Sequence, residues 1–283
     1  MIEVLAPGPL ATIQDGGRPG WAHLAVSPSG AADLASLGLG NRLVGNAPLA
    51  AAVEATLGGL VVRADAAHVV AVTGAPCPVL RNGRGVGAGC VVHLEPGDEL
   101  ALGPPSAGLR SYLAVRGGID GPEELGSRST DLLGGLGPAP LAAGDRLGVG
   151  PAPPGLPGAD QVPLRPPADP AVLRVWPGPR LDWFAPGTLD ALGAIRWRVR
   201  SESDRIGVRL DGPPLVRVRT DELASEGLVT GAVQVPADGR PVVFGPDHPT
   251  TGGYPVVAVV AAADRDRVGQ LRPGQQVRFS LVS

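Results

Sequence analysis

Ile195-Arg196-Trp197-Arg198-Val199-Arg200 alternates apolar and charged side chains without a break. A period of two is that of a β-strand, whose successive side chains point to opposite faces. The stretch therefore reads as a half-buried strand with three arginines on its wet side. The alternation returns at Val216 and Val218 against Arg217 and Arg219, and at Val277, Phe279 and Leu281. Two continuous apolar runs, His68 to Val72 and Val256 to Ala261, read as strands covered on both faces. Asn82-Gly83 and Asp238-Gly239 mark hairpins, since these dipeptides supply the positive φ angles of tight turns. Three turn-then-strand phrases, EPGDEL (95–100), AAGDRL (142–147) and RPGQQV (272–277), point to related β modules.

Helices are few. Ser29 is placed to cap a helix over about 31–43, ended by Gly45, with Leu34, Leu37 and Leu43 on one side. A second, short helix is expected near Asp264, with Val268 and Leu271 facing inward. Residues 151–170, PAPPGLPGADQVPLRPPADP, read as a Pro-rich linker between a first module (1–150) and a second (171–283). The predicted fold is mainly β, in two modules. Each is expected to be barrel-like, because closure removes the edges that many short strands would expose.

Composition narrows the chemistry. Gly (43) and Pro (32) make up about a quarter of the 283 residues, but 43% hydrophobic against 18% charged residues is enough for a packed core. The 24 basic residues are all Arg. Without Lys there is no P-loop, no pyridoxal Schiff base and no amine to which biotin could be attached. Two cysteines, Cys77 and Cys90, make no disulfide framework and fit a reducing cytosol. A net charge of −3 with no basic block gives no electrostatic case for nucleic acid or membrane. Met1-Ile2-Glu3-Val4 is unlike a signal peptide, and no apolar run approaches the ~20 residues of a membrane span, so a cytoplasmic protein is expected. His23, His68, His93 and His248 are scattered, and no metal site is expected.

Three polar stretches stand out from this apolar setting. In 12–54, Gln14, Asp15 and Arg18 surround a Gly pair, while Asp33 and Asn41 are eight apart on one side of the predicted helix. Ser29 there reads either as a cap or as a ligand contact. In 201–212, Arg205 and Arg209 would suit a fork for carboxylate or phosphate, or a salt-bridged surface turn with Asp204. In 233–254, a hairpin and a strand lead to Asp247, His248, Thr250, Thr251 and a Gly pair, a cup for an anion or a urea-like amide.

Together and in order, TIQDGGRPGW (12–21), SPSGAADLASLGLGNRLVGN (27–46), the segment around Glu54, YLAVRGGID (112–120), LGSRSTD (125–131), SDRIGVRLDG (203–212), SEGLVTGAVQVPADG (225–239) and TTGGYPVVAVV (250–260) resemble the biotin-dependent carboxyltransferase-like family. That family includes the C subunit of bacterial ATP-dependent 5-oxoprolinase and the carboxyltransferase domain of urea amidolyase, also labelled allophanate hydrolase subunit 2. It also holds the antagonist of a sporulation-kinase inhibitor. The resemblance spans almost the whole chain apart from the linker. It implies two cyclophilin-like β-barrels with the active cleft between them.

The resemblance further implies a hydrolase component that works only with the A-like and B-like subunits of the same operon. The complex would open 5-oxo-L-proline to L-glutamate with ATP hydrolysis, the nucleotide being held outside this P-loop-free chain. Asp33, Arg209 and Asp247 are then the expected catalytic residues. Arg209 or Arg205 would meet developing negative charge, and Asp33 or Asp247 would handle the proton. Gln14, Asp15, Arg18, Ser29, Asn41, Arg205, Gln234, Thr250, Thr251 and Tyr254 are the expected contacts to a lactam or amide substrate. Two other readings follow from the same resemblance: carboxyl transfer to urea or a related amide from biotin on a partner, and regulatory binding of a kinase inhibitor. The chain departs from the family at Asp247-His248-Pro249-Thr250, where the family has an Asp followed closely by Gln before the Thr pair.

Overall fold

The computed structural model describes residues 1–155, 157–219 and 221–282, and the chain divides into two units. The first comprises Met1–Arg18, Ser29–Asp131 and Gly135–Pro166; the second comprises Pro19–Pro28, Leu132–Gly134 and Pro167–Ser283. Residues 19–28 and 132–134, expected in the first module, thus group with the second unit, and the chain last passes between the units at 166/167. The first part of the expected 151–170 linker is tied to the first unit by backbone pairing: Val91 N–H donates to the Asp160 carbonyl at 2.7 Å, and Val162 N–H to that of Gly89 at 2.8 Å. Arg116 adds hydrogen bonds to the carbonyls of Pro153 and Gly155.

The strands of the first unit are β1 (Ile2–Pro7), β2 (Leu10–Gln14), β3 (Ala52–Thr56), β4 (Leu60–Ala64), β5 (His68–Gly74), β6 (Val79–Arg81), β7 (Arg84–Gly85), β8 (Val91–Leu94), β9 (Glu99–Leu102), β10 (Arg110–Val115), β11 (Ile119–Asp120) and β12 (Arg146–Val149). They form two sheets, ordered β11-β12-β1-β4-β9-β6-β7 and β2-β3-β10-β5-β8. One core joins them, with Ile2, Val4, Leu60, Val62 and Leu100 from the first sheet meeting Val53, Val72 and Leu113 from the second. The alternate residues of the second sheet, Ala52, Ala71, Tyr112 and Ala114, face the other way and pack against Leu37 and Leu43 of helix α1 (Leu34–Leu43). Gly40 lets the helix lie close: a Cβ there would come within 2.9 Å of Thr73 Oγ1.

The cap of α1 is Asp33 rather than Ser29, and the helix starts three residues later than expected. Ser29 has a φ of +50°, a left-handed turn that cannot open a helix. Leu34 accordingly falls outside the buried stripe. Gly45 follows the last turn with a φ of +76°, as the sequence predicts.

In the second unit, β13 (Ala171–Pro177), β14 (Trp197–Val199), β15 (Gly207–Asp211), β17 (Ala232–Gln234), β18 (Val242–Phe244), β20 (Val256–Val260) and β21 (Gln276–Leu281) close a barrel in the order β13-β20-β17-β18-β15-β14-β21. The seam is the parallel pairing of β13 with β21. A separate pair joins β16 (Glu226–Gly227) to β19 (Thr251–Gly252), and helices α2 (Thr188–Ala194) and α3 (Arg265–Gly269) complete the unit. The core contains Leu173, Val175, Trp197, Val199, Leu210, Val233 and Phe279. Arg196 and Arg198 face outward between the buried Trp197 and Val199, as the alternation requires. In α3, Val268 is buried, as is Leu271 beyond its end.

One strand expectation is reversed. Val216 and Val218 are 63% and 57% exposed, and their segment makes a single bridge rather than a strand. The half-buried Arg217 and the exposed Arg219 lie over Trp183 instead, with Cζ atoms 5.4 and 4.6 Å from the centre of its ring. The aromatic face competes successfully for the guanidinium groups and flips the parity. Among the described residues, no helix is long and apolar enough to cross a membrane.

Candidate functional site

In the first unit, a row of polar side chains crosses the five-stranded sheet beneath α1. Thr12, Glu54, Tyr112 and Thr73 are successive cross-strand partners on β2, β3, β10 and β5. Glu54 is sealed from solvent, and its Oε2 accepts from the Tyr112 hydroxyl at 2.8 Å and the Ala32 N–H at 2.9 Å. Arg110 Nε lies 3.3 Å from its other oxygen. Tyr112 in turn accepts the Asp33 N–H at 2.8 Å. Burial, then the charges of Glu54 and Asp33, push the Tyr112 phenol well above its ordinary range, so it is a neutral donor here. Asp33 uses its carboxylate to cap the helix, accepting from Ser36 N–H at 2.8 Å and Ser36 Oγ at 2.6 Å.

The Gly-pair loop after β2 is braced from residues 124–130. Asp15 Oδ1 accepts from Ser127 and Ser129 hydroxyls, both at 2.6 Å, and from Gly17 N–H at 2.8 Å. Its Oδ2 accepts from Arg128 N–H at 2.7 Å. Arg18 is buried and bonds the carbonyls of Glu124 and Ser129. Gln14 donates to Thr12 Oγ1 and to the Thr130 carbonyl, which also accepts from Ser29 Oγ. Three buried polar atoms in this cluster make no hydrogen bond among the described residues: Gln14 Oε1, Arg18 Nη1 and Thr130 Oγ1. They comprise an acceptor, a donor and a hydroxyl able to do either. Asn41 serves the backbone, donating to the carbonyls of Pro48 and Ala50 and accepting from Asn46.

In the second unit, the structure joins Arg205 to Asp247. Both are fully buried, and the guanidinium is bidentate, with Nε to Oδ2 at 2.9 Å and Nη2 to Oδ1 at 3.0 Å. Oδ2 also accepts the Leu132 N–H at 3.2 Å. The expected fork with Arg209 is not formed. Asp204 accepts the N–H groups of Ile206 and Gly207 and bends the chain, so that Arg209 emerges on the outer face of β15. Nor is Asp204 a salt-bridge partner of Arg205, whose carboxylate is Asp247.

His248 is buried against Phe244 and donates from Nδ1 to the Pro249 carbonyl at 2.7 Å. Gln234 donates to the Tyr254 carbonyl at 2.9 Å, Thr250 is half-buried, and Thr251 and Tyr254 are exposed. Among the described residues, no three His, Cys, Asp or Glu side chains are grouped to hold a metal ion.

Sequence reasoning passed over Glu54 as a working group, together with Tyr112, Ser127, Ser129 and Thr130. A signal was present for the first two. A charge inside AVEAT and a phenol inside RSYLAV are polar groups in otherwise apolar strands, and each needs a buried partner.

A family model described as the carboxyltransferase domain, subdomain A and B, matches residues 24–281. The chain is 39% identical to the C subunit of 5-oxoprolinase from Escherichia coli K12, over all of this chain and 92% of that protein. It is 36% identical to urea amidolyase of Lachancea kluyveri, again over its whole length but only 17% of the larger protein. The crystal structure of the K. lactis urea amidolyase superposes on the whole chain with a TM-score of 0.93 at 33% identity, matching 19% of that protein.

Proposed function

Because the chain belongs to the family of carboxyltransferase domains with subdomains A and B, we propose that it is the C subunit of a 5-oxoprolinase that opens 5-oxo-L-proline to L-glutamate. The observation that carries this reading is the 39% identity, over the whole chain, to a 5-oxoprolinase C subunit, against 36% to a urea amidolyase. A lactam is a poor electrophile, and phosphorylation of its oxygen activates the carbonyl. With no Lys and no P-loop, this chain leaves ATP to its A-like and B-like partners.

Its own contribution in this reading is recognition and charge placement. The cluster of Gln14, Arg18 and Thr130, whose unmet atoms comprise an acceptor, a donor and a hydroxyl, has the hydrogen-bonding complement of an amide and is the part of this chain assigned to lactam recognition. Arg205, fixed in orientation by Asp247, takes over from Arg209 as the group that meets developing negative charge.

A second reading, carboxyl transfer to an amide from biotin carried elsewhere, is favoured by the structural match to urea amidolyase. Purified complex separates the two. The proposal expects glutamate release from 5-oxo-L-proline with ATP and no urea-stimulated decarboxylation of carboxybiotin. The reverse pattern would establish the second reading.

A further inference from the structure

The segment that reverses its expected parity forms one wall of a pocket of about 290 Å³ in the second unit, which shares no residue with the Arg205–Asp247 pair. Pro214, Leu215 and Ala237 supply its apolar lining, and Arg217, Arg219 and Asp238 its charges. The two arginines are in different states. Arg219 is engaged, bonding both oxygens of Asp221 at 3.2 and 2.7 Å and reaching Asp182 at 3.3 Å. Arg217 lies over Trp183, and its Nε is buried without a hydrogen-bond partner among the described residues. An oriented, desolvated donor of this kind is costly unless an acceptor meets it. Asp238 accepts the Arg240 N–H at 3.1 Å and lies 3.6 Å from Arg240 Nη1, yet its side chain is 47% exposed and open to another donor.

We propose that this pocket binds a small α-amino acid as its zwitterion, with the carboxylate on Arg217 and the ammonium on Asp238. A short apolar side chain would lie against Pro214, Leu215 and Ala237. Charge balance favours a zwitterion over a simple anion. Asp182 and Asp221 pair with Arg219, and Asp211 and Asp238 with Arg240, around the pocket, so carboxylates border it as well as arginines, and a zwitterion adds no net charge to them. The volume lies just below the ~300–1,000 Å³ typical of small-molecule pockets, which suits a small ligand. A carboxylate is also the acceptor whose geometry best matches a guanidinium edge.

Calorimetric titration of the full chain with L-alanine and L-valine tests the assignment. Propionate and isobutyrate serve as analogues without the ammonium, ethylamine and isobutylamine as analogues without the carboxylate. The 5-oxo-L-proline molecule, whose nitrogen is locked in a lactam, is a further control. Saturable binding of the amino acids is expected, weakened by about tenfold or more in Arg217→Gln and in Asp238→Asn, and for every analogue. Asp238→Asn leaves the Arg217–Trp183 stack in place. A loss of binding there with unchanged near-UV dichroism and melting temperature therefore reports on the ligand and not on folding. Absence of saturable binding at millimolar concentration would overturn the proposal. So would propionate binding as well as L-alanine, or undiminished binding by both variants.

Discussion

Arg205 and Asp247 are 42 residues apart in sequence, and each charge offsets the burial of the other in the interior. Removing one partner leaves the other charge buried without its bidentate counter-ion, so Arg205→Ala or Asp247→Ala is expected to cost about 3–5 kcal/mol of unfolding free energy in chemical denaturation. The paired replacement Arg205→Met with Asp247→Leu should recover most of that loss. If the pair also serves the reaction, the recovered protein will be folded and inactive in the complex. Tyr112 makes a parallel case. Tyr112→Phe deletes the hydroxyl that accepts from Asp33 N–H and donates to Glu54, and a loss of about 1–3 kcal/mol is expected in the same measurement. For single residues the sequence reveals candidates but not partners. Asp247 stands out as an acid beside a Thr-Gly loop, yet nothing local says that Arg205 rather than Arg209 will meet it. That choice is made by the bend at Asp204.

Elements governed by local chemistry were the legible ones. The phrases at 95–100, 142–147 and 272–277 form one repeated turn. Gly97, Gly144 and Gly274 have φ angles of +90°, +93° and +85°, and each phrase leads into β9, β12 or β21. In all three the fourth side chain, Asp98, Asp145 or Gln275, accepts the N–H of the first residue. The segment around Val216 departs from its alternation because its parity is set by Trp183, a residue over thirty positions away that no alternation rule contains.

The link between α3 and β13 gives a pH prediction for these elements. Asp264 accepts the Arg174 N–H at 2.8 Å and is bonded by both ends of the Arg174 guanidinium, at 2.8 and 2.9 Å. Those hydrogen bonds hold its carboxyl below the ordinary range. A depressed folded-state pKa contributes stability in full above the unfolded value of about 3.9, and that stability is lost as pH falls through the lower folded value. The difference in unfolding free energy between the native chain and Asp264→Asn should therefore be constant above about pH 5 and shrink steadily below about pH 4. A difference that stays flat through that acid range would show that the ion pair does not stabilise the fold.

Across the full chain, mainly-β architecture follows from short alternating runs and frequent turns, whereas the strand order does not. The barrel is closed by β13 and β21, which lie at opposite ends of their unit in sequence and pair in parallel. Only the three-dimensional arrangement identifies that seam. The proposed function rests on a likeness to the C subunit of 5-oxoprolinase that extends over the entire chain, and it expects the chain to be required for a reaction carried out with partner subunits. The decisive measurement is glutamate release from 5-oxo-L-proline and ATP by the reconstituted complex, with and without this chain. No release is expected from the chain alone, and none from its A-like and B-like partners without it. Release should saturate as the chain reaches equimolar amounts. Partners that release glutamate at the full rate in its absence would overturn the assignment.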